Sequence, residues 1–203
     1  MKTVNFNGRE ITPSKIVCIG RNYVEHIEEL GNEIPSSMVI FMKPNSSIKS
    51  KLLAYKNEPI HYEGEISFVI LDGKISGVGF GLDLTKRGLQ SKLKEKGLPW
   101  ERAKAFDGAS VFSDFIKFSG DTDSLHVKLF INGTLIQNGS VSHMLYKPEE
   151  MLKEIESFST LEDGDIVMSG TPKGVGIVKS GDKFLGQIFK DDKLLVEKKW
   201  VAK

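Results

Sequence analysis

The chain of 203 residues has a single cysteine, Cys18. It cannot close an internal disulfide, and a reducing compartment is the expected setting. It also lacks an excess of either charge: 28 lysines and arginines face 27 aspartates and glutamates, a formal net charge of +1. Proteins that grip nucleic acid by its phosphates carry a clear basic excess, so nucleic acid is not an expected partner. No apolar run approaches the roughly 18 residues that span a bilayer, and the opening Met1-Lys2-Thr3-Val4-Asn5-Phe6 has no apolar secretory core. The expectation is a soluble, cytoplasmic protein without membrane contact. Disorder is excluded too, since 39% of the residues are hydrophobic and the net charge is low.

What is present suits one folded unit over residues 1–203, long enough to bury its own core. Twenty glycines, many beside carboxylates or in turns, suggest a loop-rich, β-rich body. Residues 1–20 read as two short strands, with the β-branched run Ile16–Ile19 ending at Gly20. Residues 21–31 have the helical spacing Tyr23, Ile27, Leu30 and a glycine stop. Met38–Met42 reads as a buried strand. Further strands are predicted from His61 to Leu71 and over Val78–Leu84, then a helix over Thr85–Gly97 with Leu89 and Leu93 on one face. Leu125–Ile131 alternates and meets Asn132-Gly133, the strongest short hairpin signal. Pro148 opens an amphipathic helix to Phe158, and three strands follow, near Ile166–Met168, Lys183–Ile188 and Leu194–Val196. Strands outnumber helices without alternating with them, so the fold class is α+β and β-dominated rather than a doubly wound parallel sheet.

Four constellations could carry chemistry. In Glu63-Gly64-Glu65 the two carboxylates stand at i and i+2, on one side of a strand. A solvated strand face would explain them. Asp83, however, ends an apolar glycine-rich strand where a carboxylate has little structural purpose, and three such acids suit a hard cation such as Mg²⁺ or Mn²⁺. No histidine or cysteine spacing suggests zinc. His26 and Glu29, at i and i+3 on a helix, could form a base and its orienting carboxylate, or simply part of a charged surface. The loop from Ser169 to Gly176 exposes backbone amides around Thr171-Pro172; P-loop spacing is absent, and taken alone it reads as a rigid turn. Lys104, by itself, reads as an ordinary exposed lysine.

Their order in one chain is more specific. Cys18-Ile19-Gly20-Arg21-Asn22-Tyr23 with His26 and Glu29, then Met42-Lys43-Pro44, Glu63-x-Glu65, Asp83-Leu84-Thr85-Lys86-Arg87, Gln90, Gly97-Leu98-Pro99-Trp100, Lys104-x-Phe106-Asp107 and Gly170–Gly176 together resemble the fumarylacetoacetate hydrolase family. The resemblance runs from about residue 14 to about residue 190 and looks towards its small acylpyruvase-like and oxaloacetate decarboxylase-like members. It implies a mixed β-sandwich roll with a few short helices, usually dimeric, without the additional N-terminal domain of the larger members. It implies Mg²⁺ or Mn²⁺, with Ca²⁺ as a stand-in in crystals, held by Glu63, Glu65 and Asp83. It implies His26 as general base oriented by Glu29, Lys104 as stabiliser of a developing enolate, and Arg21, Tyr23, Lys43, Arg87, Gln90 and Thr171 as substrate-binding residues.

The implied activity is hydrolysis of a C–C bond in small β-diketo acids of the acylpyruvate type. Decarboxylation or tautomerisation of oxaloacetate, or isomerisation of a 2-hydroxyhepta-2,4-diene-1,7-dioate type of substrate, are the alternatives. A small-acid or metal-binding protein without turnover is the alternative outside enzymes. Two departures from the common family pattern, Gly88 after Arg87 and Ala105 after Lys104, adjoin functional positions and bear on the substrate. The helix with His26 is expected to belong to a lid over residues 20–36.

Overall fold

The β-branched and aromatic runs make strand the dominant regular element of the chain. The computed structural model describes residues 1–29 and 35–203, apart from the side chains of residues 26–28. In chain order the elements are β1 (Val4–Phe6), β2 (Arg9–Ile11), β3 (Lys15–Gly20), α1 (Val24–Glu29), β4 (Val39–Pro44), β5 (His61–Tyr62), β6 (Gly64–Leu71), β7 (Lys74–Asp83), α2 (Arg87–Glu95), α3 (Glu101–Lys104) and β8 (Ser110–Phe112). They continue with β9 (Ile116–Lys117), β10 (Leu125–Ile131), β11 (Thr134–Ser140), α4 (Pro148–Glu156), β12 (Ile166–Met168), β13 (Gly176–Ile177), β14 (Lys183–Lys190) and β15 (Lys193–Val201).

A mixed sheet runs β4-β3-β12-β6-β7-β8, with β9 also on β7. An antiparallel sheet runs β11-β10-β14-β15, and two small pairs, β1-β2 and β13-β5, complete the strands. The two larger sheets pack face to face. Ile66, Phe68, Val78, Phe80 and Leu82 of the mixed sheet share one core with Leu125, Val127, Leu129, Phe184 and Ile188 of the other. Phe80 lies over Gly186 of the facing sheet, where a Cβ would collide with its ring. A second cluster, including Val4, Ile16, Cys18, Val69, Phe115 and Met168, covers the opposite face of the mixed sheet. Covered on both sides, β6 is buried continuously from Gly64 to Ile70 rather than at alternate residues. This is the β-dominated α+β body expected from the sequence.

Three details differ from expectation. The strand at Met38–Met42 is β4, an edge strand whose residues 39–42 are only half-buried, because nothing pairs with its outer side among the described residues. The helix over Thr85–Gly97 is shortened to α2, and its buried residues are Gln90 and Leu93 rather than Leu89 and Leu93. That face looks onto a polar cavity, which a glutamine suits better than a leucine. The first helix begins at Val24 rather than at Arg21, and of the expected lid over residues 20–36 only residues 30–34 and the side chains of 26–28 lie outside the described residues. The Asn132-Gly133 hairpin forms as read, with φ of +52° and +85°, the left-handed pair a type I′ turn requires. Among the described residues no helix is long and apolar enough to cross a membrane.

Candidate metal centre

Strand register builds the site. In the β6–β7 pair Gly64 lies opposite Leu82 and Glu65 opposite Gly81. The Asp83 N–H donates to the Glu63 carbonyl at 2.9 Å across the single-residue break between β5 and β6. Carboxylate oxygens of Glu63, Glu65 and Asp83 thereby lie within 4.8 Å of one another, and all three residues are buried. Burial pushes the Glu65 carboxyl well above the usual carboxylate range, and the neighbouring Asp83 and Glu63 charges push it further. The Gly170 N–H, 2.8 Å from Glu65 Oε2, and the Lys104 ammonium act in the opposite sense.

These residues fit a hard divalent cation. The donors are three carboxylates with no nitrogen or sulfur among them, which is the chemistry Mg²⁺ and Mn²⁺ select. Asp83 Oδ1 is buried without a hydrogen-bond donor among the described residues. Lys43 Nζ stands 2.8 Å from that oxygen as an ion-pair neighbour, but outside hydrogen-bonding direction, so the oxygen keeps its acceptor capacity.

Lys104 is not the exposed lysine that its local sequence suggested. It is 3% exposed, and its Nζ donates to Glu63 Oε2 at 2.8 Å and to Asp83 Oδ2 at 2.6 Å, with the ammonium 4.9 Å from the Phe41 ring centroid. Burial alone would lower its pKa; the Asp83 and Glu63 carboxylates outweigh burial and raise it, so the side chain is a fixed cation. Arg87 pairs with Glu63 and donates to Gln90 Oε1 at 2.9 Å.

A cavity opens beside the triad, lined by the three acids, Arg21, Phe41, Arg87, Gln90, Lys94, Trp100, Lys104 and Thr171. Its free space of about 50 Å³ has room for an ion and a few waters.

The loop after β12 is more than a turn. Gly170 has φ +95°, and a Cβ there would meet Asn22 Cβ at 2.8 Å and the Ile19 carbonyl at 3.0 Å. Only glycine brings this amide against Glu65. Thr171 donates its hydroxyl to the Gly64 carbonyl at 2.9 Å and faces the cavity. At the far end of the same loop Gly174 N–H donates to both oxygens of Glu29, at 3.0 and 3.1 Å. Glu29 thus braces this loop; the His26 side chain, which it is expected to orient, lies outside the described residues.

Two expected substrate ligands stand elsewhere. Lys43 is fully buried beneath the triad and does not line the cavity. It donates to the carbonyls of Leu84 (3.4 Å), Ala109 (3.0 Å) and Lys104, so it cross-links the backbone behind Asp83. Tyr23 lines a neighbouring hollow with Glu25, His143 and Pro172, and its buried hydroxyl has no hydrogen-bond partner among the described residues. Burial raises that phenol's pKa, with the Glu65 charge adding to it.

Sequence reading passed over two residues of the site. Gln137 of β11 is buried; its Oε1 accepts the Gly64 N–H at 2.9 Å, and its Nε2 donates to Thr171 Oγ1 at 2.9 Å and the Pro172 carbonyl at 2.8 Å. It ties the Glu63–Glu65 segment to the loop, and no local pattern marks it. Lys94 also faces the cavity, and its signal was available: it follows Arg87 and Gln90 at i+7 on one helix face.

Residues 15–195 match the fumarylacetoacetate (FAA) hydrolase C-terminal family, and the chain belongs to that family of enzymes. It is 37% identical over 188 residues to the oxaloacetate tautomerase YcgM of Escherichia coli (strain K12), a match covering 84% of this chain and 86% of that protein. It is 38% identical to the mitochondrial oxaloacetate decarboxylase of Dictyostelium discoideum, again over 84% of this chain and 86% of that one. In structure it is similar to a fumarylpyruvate hydrolase from Pseudomonas aeruginosa in complex with Mn²⁺ and pyruvate. That likeness has a TM-score of 0.89 and 28% identity, and covers 99% of this chain and 95% of the other.

Proposed function

We propose that the protein binds a small 2-oxo acid of the oxaloacetate type and moves a proton at the carbon next to its oxo group, interconverting keto and enol forms. The observation that carries this reading is Lys104: a buried cation, fixed by Glu63 and Asp83, at the edge of the cavity. An ammonium so placed stabilises negative charge as it develops on the substrate oxygen and needs no reorganisation to do so. Glu63, Glu65 and Asp83 would hold a divalent cation, which when bound supplies Lewis-acid polarisation of the 2-oxo group. Thr171 and Gln90 orient the substrate, and Arg87 balances its carboxylate charge. His26, carried on α1, is the residue assigned to take up and return the proton. The names of the relatives above support the oxaloacetate class.

The oxaloacetate tautomerase and decarboxylase relatives favour this enol chemistry over the C–C hydrolysis first expected. Hydrolysis of an acylpyruvate remains the second reading, favoured by the likeness to the fumarylpyruvate hydrolase. Stopped assays of oxaloacetate tautomerisation, its decarboxylation and acetylpyruvate cleavage, each with Mn²⁺ or with chelator, test both readings. Metal-dependent tautomerisation that is lost in Glu65→Gln is the expected result. Turnover of acetylpyruvate alone would replace the first reading by the second, and turnover unaffected by chelator or by Glu65→Gln would overturn the site assignment.

A further inference from the structure

A second concavity adjoins the cavity. It lies between edge strand β4 and the segment leading into α3, with a free space of about 410 Å³, within the roughly 300–1,000 Å³ of small-molecule sites. Val39, Ile40 and Met42 of β4 line one side, and Leu98 and Pro99 the other. Phe41, Trp100 and Lys104 line both spaces. The Phe41 and Trp100 ring centroids stand 6.0 Å apart with the rings tilted by 54°, and the Lys104 ammonium is 4.9 Å from the Phe41 ring centroid. The groove therefore begins one ring away from the cation fixed on the triad. Leu98 is 47% exposed and residues 39–42 are only half-buried, so apolar surface meets solvent directly beside a polar site.

We propose that this groove is the subsite for an apolar chain on the substrate, so that the protein accepts 2-oxo acids whose carbon skeleton extends into an uncharged tail. The inference rests on the reading that the cavity at the acidic triad receives the 2-oxo carboxylate end. The free space there, about 50 Å³, takes that end and little more, so a longer substrate has to leave the cavity. Phe41 and Trp100, shared by the two spaces, give it an apolar way out. Burial of methylenes against Ile40, Met42 and Leu98 then supplies affinity. Glu101 at the groove adds negative charge, which suits an uncharged chain better than a second carboxylate. Leu98 is a specificity-determining residue in this scheme and takes no part in proton transfer.

Two non-cleavable probes that differ only in the tail test this: 2-oxobutanoate and 2-oxooctanoate. Both are titrated calorimetrically, with Mn²⁺ present, into the wild type, Leu98→Asp and Leu98→Met. A fully buried methylene is worth about fourfold in affinity and a half-buried one about twofold, so four added methylenes should make the wild type bind 2-oxooctanoate about fifteenfold more tightly. Leu98→Asp should cut that ratio to less than about fivefold, and Leu98→Met should keep it. The ratio is the readout, so a variant that binds both probes less well still reports. Equal binding of the two probes by the wild type, or a ratio that survives Leu98→Asp, would overturn the subsite. A groove covered instead by a second copy of the chain would give equal binding together with altered sedimentation of Leu98→Asp, which also overturns it. Titration in chelator reads the underlying assumption separately: 2-oxobutanoate binding that ignores the metal would fail the metal-centred reading, while the ratio in Mn²⁺ would still report on the groove.

Discussion

Replacing Lys104 by methionine keeps the length of the side chain and its packing on Phe41 but removes the charge that joins Glu63 to Asp83. At 2.6 and 2.8 Å, and with an effective dielectric of about 20, each contact is worth on the order of 6 kcal/mol before desolvation is counted. Most of that gross attraction offsets the burial of the ions, and the net cost of removing one partner of a buried ionic cluster is about 3–5 kcal/mol. For a chain of this size that corresponds to a fall in Tm of about 10 °C or somewhat more. A divalent cation brings positive charge to the same carboxylates, so the loss should be largest in chelator and shrink in saturating Mn²⁺. The assay is thermal unfolding followed by circular dichroism, on both proteins and in both conditions. The rise in Tm produced by Mn²⁺ should be larger for Lys104→Met than for the wild type. A variant Tm within about 2 °C of wild type in chelator, or an equal Mn²⁺ increment in the two proteins, would refute the reasoning.

Asp165 offers a pH test away from the site. It accepts hydrogen bonds from Ser14 N–H (2.8 Å), Ser14 hydroxyl (2.8 Å), Lys15 N–H (3.1 Å) and Glu162 N–H (3.0 Å), and pairs with the Lys15 ammonium. Burial alone would raise its pKa; the hydrogen bonds from Lys15, Ser14 and Glu162 outweigh it and hold the carboxyl below its usual value. Its stabilisation is therefore complete above the unfolded value of about 3.9 and is lost as pH falls through the lower folded value. Asp165→Asn should cost about 2 kcal/mol at pH 7 in urea unfolding, and the gap to wild type should close in strong acid; a gap independent of pH contradicts the assignment. Gln137→Leu strands the Gly64 N–H and removes a donor from Thr171, at a cost of about 1–3 kcal/mol. Its Mn²⁺ dissociation constant should rise; unchanged stability and metal affinity would show that the bridge is dispensable.

Much of the architecture is written in local pattern. The Asn132-Gly133 turn, the runs at β6 and β7 and the proline that opens α4 identify their elements without tertiary information. The acids of the centre were also legible, because a carboxylate at the end of an apolar strand, such as Asp83, has few structural reasons to be there. What escaped depends on long-range pairing. The edge position of β4 follows from which strands pair with β3, and β3 itself pairs in parallel with β12 from the far end of the chain. The burial of Lys104 depends on two strands that precede it by twenty residues or more. Gln137 resembles any strand glutamine until the loop it holds is folded against it. Lys43 carried the family pattern but not its location, since a motif specifies residue type and leaves the direction of the side chain to the packing around it.

The loop from Ser169 to Gly176 is tethered at two places: Gly170 to a carboxylate of the triad, and Gly174 to Glu29 on the helix that bears His26. Three residues, Thr171, Pro172 and Lys173, stiffened by the proline, connect the two tethers. Such a segment works as a lever. A displacement at either tether would be passed to the other through this short segment. Linkage would make any such exchange symmetrical in free energy: by whatever factor a cation at Glu65 favoured one position of α1, that position of α1 would favour the cation.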